Sequence, residues 1–175
     1  MIVAMAGLPG VGKSTLAHAL AGQLGAVVLD KDRIRAGLFP PPHLQYSREQ
    51  DDFCIDVMYR TAGWLLRRDP STTVVLDGST YTRAARVRRL RQVAAVLGTE
   101  LRLIECVCRP ELAEARINDD RAAGNHPAAN RDPSLHRSIR GSADPISPPK
   151  LVVDTGRPVA ACLAECLPYL AVGTP

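Results

Sequence analysis

Apolar residues fall along this chain in short, nearly continuous runs, separated by longer stretches in which they recur every three or four positions. Five runs read as strands, at about 2–6, 26–29, 73–76, 101–107 and 150–153, each brief and rich in Val, Ile, Leu or Ala. The stretches between them read as helices at about 13–24, 32–38, 47–67, 83–97, 110–122, 132–139 and 157–170. Strands buried on both faces lose the polar alternation of an exposed sheet, and strict β–α alternation favours crossovers of one hand. The pattern therefore predicts an α/β fold, a five-stranded parallel sheet with helices on both faces, within one domain over 1–175.

Two segments depart from this rhythm. Residues 39–46 hold Pro40, Pro41 and Pro42 and predict a stiff loop. Residues 123–149 carry Gly124, Pro127, Pro133, Gly141, Pro145, Pro148 and Pro149 together with Arg131, Arg137 and Arg140. Long irregular segments in compact domains often serve function. With the helix before it, this segment reads as an arginine-rich lid over about 110–149, the alternative being a solvated surface connection.

Residues 7–15 change the picture most. Gly7-Leu8-Pro9-Gly10-Val11-Gly12-Lys13-Ser14-Thr15 matches G-x-x-x-x-G-K-[ST], the Walker A pattern, set between an apolar strand and an amphipathic helix. Glycines let successive backbone N–H groups turn inward around phosphates, and the following helix points its positive end at them. Lys13 is the candidate for the β- and γ-phosphates, and Ser14 for Mg²⁺. The motif defines a P-loop NTPase fold binding ATP or GTP, with Gly7, Pro9, Gly10, Val11, Gly12, Lys13, Ser14 and Thr15 as the nucleotide-binding residues.

Ligands of parallel sheets lie beyond the carboxyl ends of the strands, so the residues there are the next candidates. The second strand runs into Asp30-Lys31-Asp32 and Arg35. A carboxylate here can take the proton of an acceptor hydroxyl, and Arg35, one turn after Asp32, can hold the acceptor. Asp32 is favoured as base over Asp30, which also suits a helix N-cap. The third strand closes on Asp77-Gly78, the shape of a Walker B element, making Asp77 the second Mg²⁺ candidate. Thr80, Tyr81 and Arg83 follow it and are expected to face the acceptor. Arg116 and Arg121 open the lid and are candidates for neutralising transferred charge. Thr155 and Arg157, after the last strand, are candidates for nucleotide contact.

Charge and cysteine content refine this only a little. The net charge of +4 suits an anionic ligand without requiring nucleic acid, and aromatic residues, at 4%, offer few stacking platforms for a single strand. The run Arg83, Arg86, Arg88, Arg89 and Arg91 reads as a solvated helix face before it reads as a polynucleotide channel. Five cysteines, with Cys106/Cys108 on one strand face and Cys162/Cys166 on one helix face, suit buried thiols better than disulfides or zinc. No apolar run spans a bilayer and the first strand lacks a basic leader, so a cytoplasmic location is expected.

Taken together, the P-loop, Asp32-x-x-Arg35, Val75-Leu76-Asp77-Gly78, Arg116, Arg121 and Val152-Val153-Asp154-Thr155 resemble the small P-loop kinases of the AAA_33 type, over about residues 1–170. That family includes the kinase domain of polynucleotide kinase, chloramphenicol phosphotransferase and zeta-toxin-like enzymes. The resemblance implies ATP as donor, a base at Asp32, acceptor contact at Arg35, and a nucleotide-kinase strand order with the third strand between the second and the first. The resemblance does not name the acceptor; the overall expectation is an ATP-dependent kinase acting on a small-molecule hydroxyl, with a 5′-hydroxyl polynucleotide kinase or a regulatory ATPase module as alternatives.

Overall fold

The structure, a computed structural model, describes residues 1–124 and 132–171. Among them five strands form one parallel sheet: β1 (Ile2–Ala6), β2 (Val27–Asp30), β3 (Val74–Asp77), β4 (Leu101–Val107) and β5 (Leu151–Asp154), in the order β2-β3-β1-β4-β5. Helices α1 (Lys13–Leu24), α2 (Lys31–Leu38), α3 (Arg48–Arg68), α4 (Ala84–Val96), α5 (Pro110–Ala122), α6 (Pro133–Gly141) and α7 (Val159–Ala171) connect and flank the strands. Element types and order agree with the sequence pattern, with ends shifted by one or two residues. A 3₁₀ turn at Pro41–His43 lies inside the expected proline loop.

Alternation along β1 shows why a continuous apolar run suits the central strand. Ile2, Ala4 and Ala6 face one core with Ile55, Met58 and Ala62 of α3 and Leu90 of α4. Val3 and Met5 face the other, with Leu16 and Leu20 of α1 and Cys162 and Cys166 of α7. Both faces are dry, and each large side chain so buried contributes about 1.5–3 kcal/mol. Cys54, Cys106, Cys162 and Cys166 are buried free thiols, whereas Cys108 is half-buried. Burial pushes the Cys106 and Cys166 thiols up to about 12, so they pack as neutral groups.

The segment expected to form one lid divides into two parts. Helix α6 is joined to α5 by the Arg137–Glu114 ion pair, 2.9 Å. Its buried His136 lies with Nδ1 2.8 Å from the Pro9 carbonyl, which requires the proton on Nδ1. Residues 144–149 are instead strapped to α4. Asp144 accepts from the Ala84 N–H at 2.8 Å, Arg91 donates to the Ser147 and Pro148 carbonyls at 2.6 and 2.9 Å, and Ile146 is buried in the α3–α4 core. Within 110–149, α6 thus packs against α5 and residues 144–149 against α4. Pro127 and Arg131 lie outside the described residues. Among the described residues no helix is long and apolar enough to cross a membrane.

Candidate active site

The phosphate loop lies where β1 ends and α1 begins. Gly7 (φ 130°) passes so close to β4 that a Cβ there would stand 2.3 Å from the Cys106 carbonyl oxygen. Gly10 (φ 82°) packs against the backbone of α5, and Gly12 (φ 84°) forms the N-cap of α1. Only glycine tolerates these angles and approaches cheaply. Lys13 is 8% exposed, and its Nζ donates to the Leu8 carbonyl at 2.7 Å, across the loop it is expected to serve.

This loop forms one wall of a cavity of about 930 Å³. Pro9, Gly10, Gly12, Lys13, Ser14 and Thr15 line it; Gly7 and Val11 do not, and Val11 is buried behind the loop. Asp32, Arg35, Thr80, Arg83, Arg116, Thr155 and Arg157 also line the cavity. Thus most of the residues singled out from the sequence border one space, although they derive from five regions of the chain.

Besides Gly7 and Val11, three do not: Tyr81, Arg121 and Asp77. Tyr81 is 1% exposed and packs in the α3–α4 core, while Thr80 and Thr82 on either side line the cavity and lie 3.0 Å apart through their hydroxyls. Burial and neighbouring Tyr59 push the Tyr81 phenol well above its usual range. The expectation that Tyr81 faces an acceptor is therefore corrected. Arg121 is exposed and does not line the cavity, whereas Arg116 does. Five residues advance a helix by about 140° past a full turn, so the two arginines leave α5 on different sides.

Asp77 ends β3 beneath the loop, 0% exposed, and neither carboxylate oxygen has a partner among the described residues. A bare buried carboxylate is costly unless something positive meets it. A hydrated Mg²⁺ held between the Ser14 hydroxyl, Asp77 and nucleotide phosphates would meet that need, so the residues present fit this ion. Asp30, in register with Asp77 across the sheet, caps α2 by accepting from the Asp32 N–H at 2.8 Å. Burial raises its carboxyl, and the Asp77 charge adds to this. Asp30 does not line the cavity, whereas Asp32 does, together with Asp51, Asp52 and Asp120.

Around Asp32 lies a charge network that the sequence reading did not include. Arg35, 2% exposed, donates through Nη1 to Asp32 at 2.9 Å and through Nη2 to Asp51 of α3. Lys31 Nζ lies 2.8 Å from Asp51 and 3.3 Å from Asp32. Arg86 of α4 reaches Asp51 at 3.4 Å and Asp52 at 2.9 Å. The Arg35 guanidinium also stacks over Tyr46, 5.2 Å from the ring centre. Burial works against ionisation of Asp51, but Lys31, Arg35 and Arg86 outweigh it and hold its carboxyl below the usual range.

A depressed carboxyl stabilises the fold above its unfolded value, and this contribution is lost as pH falls through the lowered folded value. Removing the charge leaves buried Arg35 with Asp32 as its one remaining carboxylate among the described residues. Asp51→Asn is expected to cost about 2 kcal/mol at neutral pH, less than for a fully buried pair because Asp51 is partly exposed. Urea titrations at several pH values check this. The gap between variant and wild type should shrink on the acid side, and a pH-independent gap would contradict the ionic origin.

On the nucleotide side, Arg116 Nη2 donates to the Thr155 carbonyl at 2.9 Å. Its Nη1 is buried without a partner among the described residues and packs against Gly12. The Thr155 hydroxyl donates to the Val11 carbonyl, joining the last strand to the loop. Arg157 pairs with Glu165 at 2.5 Å at the cavity edge.

A phosphate loop, a buried carboxylate at the end of the adjacent strand and a parallel sheet of order β2-β3-β1-β4-β5 define a P-loop nucleotide-binding protein. The model of the AAA_33 family, an AAA domain, matches residues 2–140, and the chain belongs to that family. No curated protein matches in sequence. Among solved structures, one similar to this chain is a Chloroflexus aurantiacus protein described as a candidate kinase, at TM-score 0.73 and 24% identity, covering 94% of this chain and 95% of that one. Another is the Mycobacterium tuberculosis APS kinase CysC in complex with AMPPNP and APS, at TM-score 0.71 and 22% identity, covering 97% and 96%. A gluconokinase from Sinorhizobium meliloti gives TM-score 0.67 and 17% identity, covering 97% and 90%. These likenesses show the fold, with the third strand between the second and the first as expected.

Proposed function

We propose that the protein is an ATP-dependent kinase that transfers the γ-phosphoryl group to a hydroxyl of a small molecule. The observation that carries this reading is the placement of Asp32 and Arg35 on the same cavity as the phosphate loop. A nucleotide switch needs the loop and Asp77 but has no use for a carboxylate–guanidinium pair on the acceptor side. The kinases among proteins of similar fold, one with a bound nucleotide analogue, support the same reading.

In this mechanism the loop amides and Lys13 would hold the phosphates, and Ser14 and Asp77 would hold a Mg²⁺ ion, which would supply positive charge to the phosphates. Asp32 takes the proton as the acceptor oxygen bonds to the γ-phosphorus and the bond to the β-phosphate oxygen breaks, releasing ADP. Arg35 steadies Asp32. Arg116, already against Gly12, supplies positive charge beside the transferred group, and α5 with α6 limits access of water.

A polynucleotide acceptor is less favoured. The arginine run of α4 is largely spent within the fold: Arg86 on Asp51 and Asp52, Arg89 on Asp56, Arg91 on two carbonyls. The test is Mg²⁺-dependent ATP turnover across nucleosides, sugars, sugar acids, antibiotics and 5′-hydroxyl oligonucleotides, with products weighed by mass spectrometry. One small-molecule class should gain a single phosphate and accelerate ADP release. Slow hydrolysis unaffected by every acceptor would instead favour the regulatory ATPase module.

A further inference from the structure

Helix α3 has a face that the fold does not use. Its inner side carries Cys54, Ile55, Met58, Ala62 and Leu66, all buried. Its outer side carries Phe53, 52% exposed, and Trp64, 54% exposed. The chain has one tryptophan and two phenylalanines, and it leaves the tryptophan and one phenylalanine half in water on the same helix. At about 100° per residue, Phe53, Val57, Arg60 and Trp64 fall within about 60° of one another. Their alternating four- and three-residue spacing is that of a seam along which two helices pack side by side. Phe39 stands edge-on to Phe53, 5.7 Å between ring centres, and half-exposed Leu38 precedes it, so the apolar surface continues onto the end of α2. Arg68 stacks over the Trp64 ring, 5.1 Å from its centre, and steadies the indole on this face. Large aromatic side chains held in this way form the buried centres of protein interfaces.

The charges beside the seam say what covers it. Along one edge lie Glu49, Asp56, Arg60 and Arg67, within about 40° of one another. Glu49 and Asp56 are one heptad apart, as are Arg60 and Arg67, and the acidic pair precedes the basic pair. Glu49, Arg60 and Arg67 form no ion pair among the described residues, and Asp56 is met by Arg89 of α4. Two copies of α3 set antiparallel about a two-fold axis near residue 58 bring Phe53 opposite Trp64 of the partner subunit. The same alignment brings Glu49 opposite Arg67 of the partner subunit, and Asp56 opposite Arg60 of the partner subunit. Symmetry makes every contact twice. A parallel pairing would set acid against acid and base against base, which is unfavourable. Aromatic and ionic positions thus select one and the same register, and the surface is complementary to itself.

We infer that the outer face of α3 is a dimerisation surface and that its occupant is α3 of a second copy of this chain, antiparallel, with Phe53 and Trp64 at the centre and the Glu49–Arg67 and Asp56–Arg60 pairs at the rim. This does not depend on the kinase reading. The aromatic centre supplies the stability and the rim supplies the register, since exposed ion pairs are individually weak.

Sedimentation equilibrium over about 1–100 µM should show monomer and dimer in exchange. The emission of Trp64 should move to longer wavelength on dilution as the indole returns to water. Phe53→Glu and Trp64→Glu should each weaken the dimer about 100-fold. Val96→Glu, at an exposed apolar position on α4, should leave it unchanged. Both α3 side chains are half in water, so circular dichroism should report an intact fold. A monomer throughout that range leaves the face to a partner of other sequence and overturns the inference. So does a dimer that survives both α3 substitutions, or one that Val96→Glu weakens equally.

A charge exchange tests the register without touching the aromatic centre. Glu49→Arg and Arg67→Glu should each weaken self-association about ten-fold, because each sets like charges opposite one another twice. An equimolar mixture of the two variants should dimerise as wild type does, since every charge then meets its opposite. A mixture no stronger than either variant alone overturns the antiparallel pairing.

Discussion

Asp32→Asn is expected to lower kcat by about 10²–10⁴-fold while leaving Mg²⁺-nucleotide affinity within a factor of about three of wild type. The substitution keeps the shape of the side chain and its capacity to accept from Arg35, so the fold should tolerate it. What it removes is the ability to take a proton as the acceptor oxygen attacks. The nucleotide is held by the loop at the end of β1, on elements that Asp32 does not support. Single-turnover assays with bound ATP read the chemical step directly, and AMPPNP titration reads binding. If the variant turned over a true acceptor at the wild-type rate, Asp32 would lose its role as base, and the acceptor would have to reach the phosphate already deprotonated or by way of another group.

Neighbouring charge sharpens this expectation. Asp32 shares Arg35 and Lys31 with Asp51, which also draws in Arg86. Arg35 and Lys31 are thereby fixed between two carboxylates, which holds Asp32 in place. Asp51 thus acts through Arg35 and Lys31 as a positioning group.

The sequence made the phosphate loop readable because its chemistry is local: nine consecutive residues set the turn, the donors and the helix start. The strands were readable for a related reason, since a strand buried on both faces leaves an unbroken apolar run. The Asp51–Arg35–Arg86 network was not readable, because its members are separated by 16 and 35 residues and meet only when α2, α3 and α4 pack. On each helix they resemble an ordinary solvated face. Tyr81 shows a different difficulty. Position after β3 suggested a site residue, but Tyr81 lies past the strand end with a left-handed φ of 53°, and its side chain is in the core while Thr80 and Thr82 reach the cavity. His136 gave no signal at all, being one polar residue in an irregular stretch whose partner, the Pro9 carbonyl, lies 127 positions away.

Gly10→Ala should be nearly as damaging as loss of Asp32, by a different route. A Cβ at Gly10 would stand 2.4 Å from the Ala113 carbonyl oxygen and 2.9 Å from a side-chain carbon of Ile117. The first neighbour is backbone of α5 and cannot rotate aside. The φ of 82° adds about 1–2 kcal/mol of strain for any residue with a side chain. The loop must therefore pull away from α5, which turns its N–H groups off the phosphates. Each hydrogen bond lost to a charged oxygen is worth about 1.5–3 kcal/mol, so nucleotide affinity should fall by about 10²–10⁴-fold. AMPPNP titration with Mg²⁺ measures that loss. Stability should suffer far less, because the strands beneath the loop keep their packing, and the thermal midpoint should drop by only a few degrees (on the order of 1–2 kcal/mol). Unaltered nucleotide binding in Gly10→Ala would mean that the contact between loop and α5 does not shape the phosphate cradle, and a collapse of the whole fold would mean that the loop is part of the core rather than a site built upon it.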